Sequence, residues 1–176
     1  QVGAAAAAAE AADAAERELA LLDEGRALDA VRPHVQLARG LLDLARDDFH
    51  AARDTFRAVI EAERKREREQ TMDVVGGGDT GAHLLVSADE SLLPVAVNNY
   101  AITSLYLKRL GDAVTTLEAL VREDPPRHMT DSVVFNLCTM YDLSRDQATS
   151  VQRKRVLQEV ARRYSLSDVT ERSYRL

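Results

Sequence analysis

Residues 97–126 read VNNYAITSLYLKRLGDAVTTLEALVREDPP, and this stretch decides the fold. Two apolar stripes at helical spacing are separated by a short charged and glycine-containing break, then closed by Pro125 and Pro126. The spacing predicts one helix over 95–108 and a second over 112–123, stopped by the prolines, which cannot continue a hydrogen-bonded ladder. Ala101 and Ala113 are small where the two helices would cross, and Leu117 and Leu120 are large enough to fill the groove between them.

The same arrangement recurs on both sides. Upstream, Gly40, Ala52, Phe56 and Val59 fall into matching slots, with Asp48 and Phe49 at the turn. Gly40 and Ala101 are separated by 101 − 40 = 61 positions, one repeat of about 34 residues plus a glycine-containing insert. Downstream, Cys138 follows Ala101 by 138 − 101 = 37, a repeat with a slightly longer loop. The third unit has a good first helix over 131–143. Its second, over 148–164, has Ser144 and Gln147 ahead of it at capping-box spacing, but lacks the usual small residue near Ser150, as a degenerate terminal repeat would. The slots resemble those of tetratricopeptide repeats, including Pro125 at the closing proline. The expected fold is all-α, a tetratricopeptide-like helical-hairpin superhelix, or α-solenoid.

The expected organisation is an alanine-rich helical segment at 1–31, a first repeat hairpin at 32–68, a flexible insert at 69–91 and a second hairpin at 92–126. A third, degenerate capping hairpin follows at 127–164, then a C-terminal tail without strong pattern at 165–176. Within this scheme a helix covers 4–22, Gly25 is its stop, and a second helix starts near Pro33. Gly76, Gly77 and Gly78 end regular structure, which resumes at Ser87 with Glu90, or at Ser91.

Composition narrows the function. The chain has 176 residues, 45% apolar and 30% charged, with a net charge of −6 and both signs mixed along it. No basic face exists for a phosphate backbone, so nucleic acid is not an expected partner. The alanine run at 4–9 leads at once into Glu10 and Asp13 and reads as helix, and no stretch approaches the ~20 apolar residues that span a bilayer. Direct membrane insertion is not expected. A single cysteine, Cys138, excludes an internal disulfide and fits a cytoplasmic setting.

Residues 97–144, VNNYAITSLYLKRLGDAVTTLEALVREDPPRHMTDSVVFNLCTMYDLS, depart from the generic repeat consensus. They closely resemble the C-terminal repeats of the trafficking protein particle (TRAPP) complex subunit 12 family. The basic run Gln152-Arg153-Lys154-Arg155 before Leu157 fits as well, and DDFHAARDTFRAVI at 47–60 resembles the preceding repeat of that family. The insert and the first 30 residues have no clear counterpart. The resemblance implies a non-catalytic subunit of a multisubunit tether. It would act beside a Rab guanine-nucleotide exchange activity held by other subunits, in traffic between endoplasmic reticulum and Golgi and in autophagy. The expected partners are other large subunits of that complex, and the expected location is cytoplasmic, on Golgi-related membranes through the complex. A generic repeat adaptor in an unrelated cytoplasmic complex is the alternative.

No catalytic, metal or cofactor site is expected, and no small-molecule substrate. GGGDTG lacks the Lys-Ser or Lys-Thr of a phosphate cradle, and His34, His50, His83 and His128 are scattered. Cys138 occupies a small-residue slot and reads as a packed thiol. The candidate surface is instead the inner face of the first helices: Leu37, Leu41 and Leu44, then Asn98, Asn99, Ile102 and Tyr106, then Phe135 and Thr139. An apolar strip with a few amides can receive a segment of another protein. A clamp for a chaperone's terminal carboxylate would need basic residues where Leu37, Leu41, Phe135 and Thr139 stand.

Overall fold

The computed structural model of the chain describes residues 25–75, 91–144 and 146–175. The helix expected at 4–22, the Ser87 and Glu90 pair and most of the 69–91 segment lie outside them. The described residues are all-α, with seven helices, one 3-10 turn and no strand among them. The chain divides into two compact units, Gln1–Ala96 and Val97–Leu176.

In the first unit α1 (Gly25–Ala45) turns back into α2 (Phe49–Val75), and the two pack as a hairpin. Helix α1 starts earlier than expected: Gly25 is its first residue, and Pro33 lies inside it, buried, where the ladder forgoes the bond that a proline nitrogen cannot donate. The turn closes in the Schellman manner, with the Asp48 N–H donating to the Asp43 carbonyl (2.9 Å) and the Asp47 N–H to that of Leu44 (3.1 Å). Asp47 takes the left-handed position, φ 63°, usually given to glycine. The Asp48 carboxylate then caps α2 by accepting the Ala51 N–H at 3.1 Å.

The crossing of α1 and α2 is close because Gly40 faces the Phe56 ring. A Cβ at Gly40 would stand 2.6 Å from the Phe56 Cε1. Farther along, the charged run over 64–69 stays helical and solvated, with Lys65 and Glu69 paired at 3.7 Å, and α2 reaches Val75 just before the glycines. Glu63 is buried, and its carboxylate accepts the Leu92 N–H at 3.1 Å, holding the start of α3 (Leu93–Tyr106). Ser91, one residue before the N-cap position of Leu92, adds a local bond there, its Oγ accepting the Leu93 N–H at 3.3 Å.

The second unit takes α3 from Val97 onward, followed by α4 (Leu110–Glu123), the single turn α5 (Pro125–His128), α6 (Asp131–Asp142), α7 (Gln147–Arg163) and the 3-10 turn Glu171–Tyr174. Helices α3 and α4 are joined by the same closure as α1 and α2: the Arg109 N–H reaches the Ser104 carbonyl, the Lys108 N–H reaches that of Leu105, both at 2.9 Å, and Lys108 has φ 63°. Asp47 and Lys108 are 108 − 47 = 61 positions apart, the offset that separates Gly40 from Ala101.

Pro125 and Pro126 end α4 as expected and then open α5, where their missing N–H groups cost nothing, with Asp124 accepting the Arg127 N–H at 3.3 Å. Thr130 caps α6. The cap of α7 is Asp146, whose carboxylate accepts the Thr149 N–H at 3.1 Å, rather than Ser144 with Gln147. Only the residue directly before the first helical one can reach that donor, and Ser144 sits two positions too early.

Four slots carry the repeat through both units. Gly40, Ala101 and Cys138 are buried at the first; Ala52, Ala113 and Ser150 at the second; Phe56, Leu117 and Lys154 at the third; Val59, Leu120 and Leu157 at the fourth. Ser150 itself therefore supplies the small residue expected to be lacking near this position. The third repeat departs in one coupled pair: Lys154 stands where the others have Phe56 and Leu117, and Asp142 stands where they have Leu44 and Leu105. The Lys154 ammonium, 2% exposed, lies 2.7 Å from the Asp142 carboxylate.

Candidate functional site

Each first helix presents its expected residues as a helical stripe. On α1, Leu37, Leu41 and Leu44 share one side at i, i+4 and i+7; Leu41 is 43% exposed and the others half-buried. On α3, Asn98, Ile102 and Tyr106 follow at i, i+4 and i+8 with Asn99 beside them. Tyr106 is 58% exposed, and Asn98, Asn99 and Ile102 are half-buried. On α6, Phe135 is 44% exposed and Thr139 half-buried, one turn apart. The second unit links two of these helices directly, because the Asn136 Nδ2 donates to the Asn98 Oδ1 at 2.9 Å. Asn98 thus already serves an inter-helix hydrogen bond.

Behind the stripes, Glu118 of α4 holds the second unit together. It accepts the Tyr141 hydroxyl at 2.9 Å and pairs with Arg122 at 2.8 Å and Arg153 at 3.4 Å, while the Arg153 guanidinium lies 5.3 Å from the Tyr141 ring centroid. Burial, with the Glu118 carboxylate beside it, pushes the Tyr141 hydroxyl well above the ordinary tyrosine range. Cys138 is fully buried and its thiol is pushed up to about 11, chiefly by burial, so it stays protonated at neutral pH and is a poor nucleophile. Among the described residues no group of three or more His, Cys, Asp or Glu side chains could hold a metal ion, and no helix is long and apolar enough to cross a membrane.

The segment after α7, which carried no pattern in the sequence, folds onto α6 and contacts Phe135 and Thr139. Asp131 accepts the Thr170 N–H at 2.9 Å, the Thr170 hydroxyl at 3.1 Å and the Ser173 hydroxyl. Tyr174 is buried, 4% exposed. The Arg175 carbonyl accepts from the Lys154 ammonium at 3.1 Å. The Arg175 guanidinium lies 5.4 Å from the Phe135 ring centroid, donates to the Thr139 Oγ1 at 3.1 Å and is 3.9 Å from the Asp142 carboxylate. One signal could have revealed this: Lys154 in a core slot demands an acceptor, and a lone carboxylate leaves part of its donor capacity unused.

Hydrogen bonding sets the charge state of this attachment. Ser173, then the Thr170 backbone, holds the Asp131 carboxyl below its ordinary 3.8. At Asp142 burial acts in the raising direction, but the bonds from Lys154 and Ser150 outweigh it and the carboxyl is lowered too. A folded-state value below the unfolded one means a contribution to stability that is complete above the ordinary 3.8 and lost as pH falls through the lowered value. The expected result is that Asp131→Asn unfolds at lower urea than the parent at neutral pH, and that the gap closes as pH is taken below 3.8. A gap constant across that range would show that the carboxylate does not hold the segment.

No protein-family model matches the chain, and no solved structure matches it. Two curated relatives do, both with the name trafficking protein particle complex subunit 12. The protein from Homo sapiens is 46% identical over 65 residues, which is 37% of this chain and 9% of the relative. The protein from Mus musculus is 46% identical over 65 residues, 37% of this chain and 8% of the relative. The chain spans less than a tenth of the length of these relatives, and over that stretch the kinship agrees with the resemblance seen in the residues themselves.

Proposed function

We propose, on the premise of this kinship with trafficking protein particle complex subunit 12, that the chain is a non-catalytic protein-interaction scaffold within a TRAPP-type tethering complex. The observation that carries the reading is the match itself, in a chain whose described part is helical hairpins with exposed apolar residues on their first helices. In the first unit Leu37, Leu41 and Leu44, and in the second unit Asn98, Asn99, Ile102, Tyr106, Phe135 and Thr139, are the residues that receive other large subunits, apolar side chains supplying affinity and the amides fixing register. The chain acts in the cytoplasm, in traffic between endoplasmic reticulum and Golgi and in autophagy, and meets membranes through the complex. Exchange chemistry resides in its partners.

Capture of the full-length protein from its own cells, with mass spectrometry after a moderate salt wash, tests this. Other large TRAPP subunits are expected in comparable amounts. Tyr106→Asp, at an exposed position, is expected to reduce their recovery about tenfold with helical circular dichroism unchanged, since an interface aromatic is commonly worth a kcal/mol or more. Recovery of a different stable complex would leave a generic repeat adaptor and remove the trafficking assignment.

A further inference from the structure

Asp131, Phe135, Thr139 and Asp142 lie at i, i+4, i+8 and i+11 on α6, a single stripe along the whole helix. Residues 170–175 run along that stripe from one end to the other: hydroxyls on Asp131, a buried aromatic in Tyr174, and a guanidinium on Phe135, Thr139 and Asp142. Two of the four stripe residues, Phe135 and Thr139, belong to the face assigned to partners, so this inference rests on that reading.

We propose that this stripe is an arginine-reading docking groove, and that residues 170–175 occupy it in cis as a displaceable stand-in for a partner segment with the same order of hydroxyl, aromatic and arginine. The groove suits such a segment by charge and shape. Two carboxylates at its ends attract a donor-rich chain, and Phe135 offers a ring face to a guanidinium, which stacks where an ammonium would not. The cis occupant is held in a way that favours exchange. Tyr174 is the one buried apolar side chain among residues 170–175, and the remaining holds are single polar contacts that another chain can replace: the Thr170 and Arg175 side chains at the surface, and the buried Ser173 hydroxyl and Lys154-bound Arg175 carbonyl. Arg175 also sits at φ 51°, in the left-handed region that side-chain-bearing residues seldom adopt, so its release relaxes the backbone. Nothing covalent is required, only competition between a tethered segment and a free one, in which tethering raises the effective concentration of the cis occupant.

The test uses the full chain and a fluorescent peptide of residues 168–175. The unaltered chain is expected to bind the peptide weakly. A chain carrying Tyr174→Ala with Arg175→Ala, whose own segment can no longer compete, is expected to bind it at least about tenfold more tightly, and adding Phe135→Ala is expected to abolish the gain. Absence of binding to the double variant with its helical circular dichroism intact would overturn the proposal, as would equal binding to both chains. Should the double variant fail to fold, amide exchange on the unaltered chain decides. Exchange at Thr170 well ahead of the α6 amides supports a displaceable segment, and exchange at Thr170 only together with α6 overturns it. Neither result touches capture through Tyr106, so failure of the groove is distinguishable from failure of the scaffold reading.

Discussion

Phe56→Ala costs the chain about 3–5 kcal/mol, and Gly40→Ala costs about 1–3 kcal/mol although alanine is the better helix former. Phe56 is fully buried, and its truncation leaves a ring-sized void between α1 and α2 that two helices joined by a three-residue turn cannot close by sliding. At Gly40 the added Cβ meets Phe56 Cε1 at 2.6 Å, Cδ1 at 2.9 Å and Cζ at 3.0 Å. The three atoms belong to one rigid ring that is fully buried, so it has no free space to rotate into and the helices must part. The two effects are coupled: once Phe56 is alanine, the methyl group at position 40 enters the void it left. Urea midpoints of the parent, both single variants and the double should therefore show the double losing less than the sum of the singles. Additive losses would mean that the side chains do not share the crossing point, and the small-against-large logic of the repeat would fail where it is most explicit.

The buried pair in the third repeat should respond unequally to removal of its two partners. Asp142→Ala strands the Lys154 ammonium at 2% exposure with the Arg175 carbonyl as its remaining acceptor, and is expected to cost about 3 kcal/mol. Lys154→Met places an apolar chain of similar length in an apolar slot and leaves Asp142, 35% exposed, with Ser150 and Arg175, at a cost of about 1 kcal/mol or less. Asp142→Leu with Lys154→Leu restores the pair of apolar slots found in the other repeats and should leave stability equal to or above that of the parent, because exchanging a buried ion pair for packed hydrocarbon is often neutral or better. The same change removes both the donor to the Arg175 carbonyl and the carboxylate beside its guanidinium. A stable double variant with faster amide exchange at Thr170 is the expected result; equal losses for the two single changes would show that the ammonium is better solvated than its burial indicates.

The buried slots were legible in the sequence because packing enforces them at fixed distances. Gly40, Ala101 and Cys138 must be small for helices to approach, and Phe56 and Leu117 must be large to fill what remains. The turns were harder to read, since the left-handed positions that close them are held by Asp47 and Lys108 instead of glycine, and only hydrogen-bond closure betrays them. The early start of α1 was missed because Pro33 suggested a first turn, whereas the helix carries it in its interior. Of the candidate face, the helical stripes could be read from spacing alone. The contact of residues 170–175 with Phe135 and Thr139 could not, for that attachment is a set of mostly polar single contacts with no period, and its one strong hint lay in Lys154 occupying a slot that elsewhere is apolar.

The Glu63 carboxylate on the Leu92 N–H joins positions 29 apart in sequence, so the start of α3 is set by a side chain of α2. Helix α3 thus takes its starting point from α2, and a change at position 63 would be felt 29 positions away, in the first turn of the next helix.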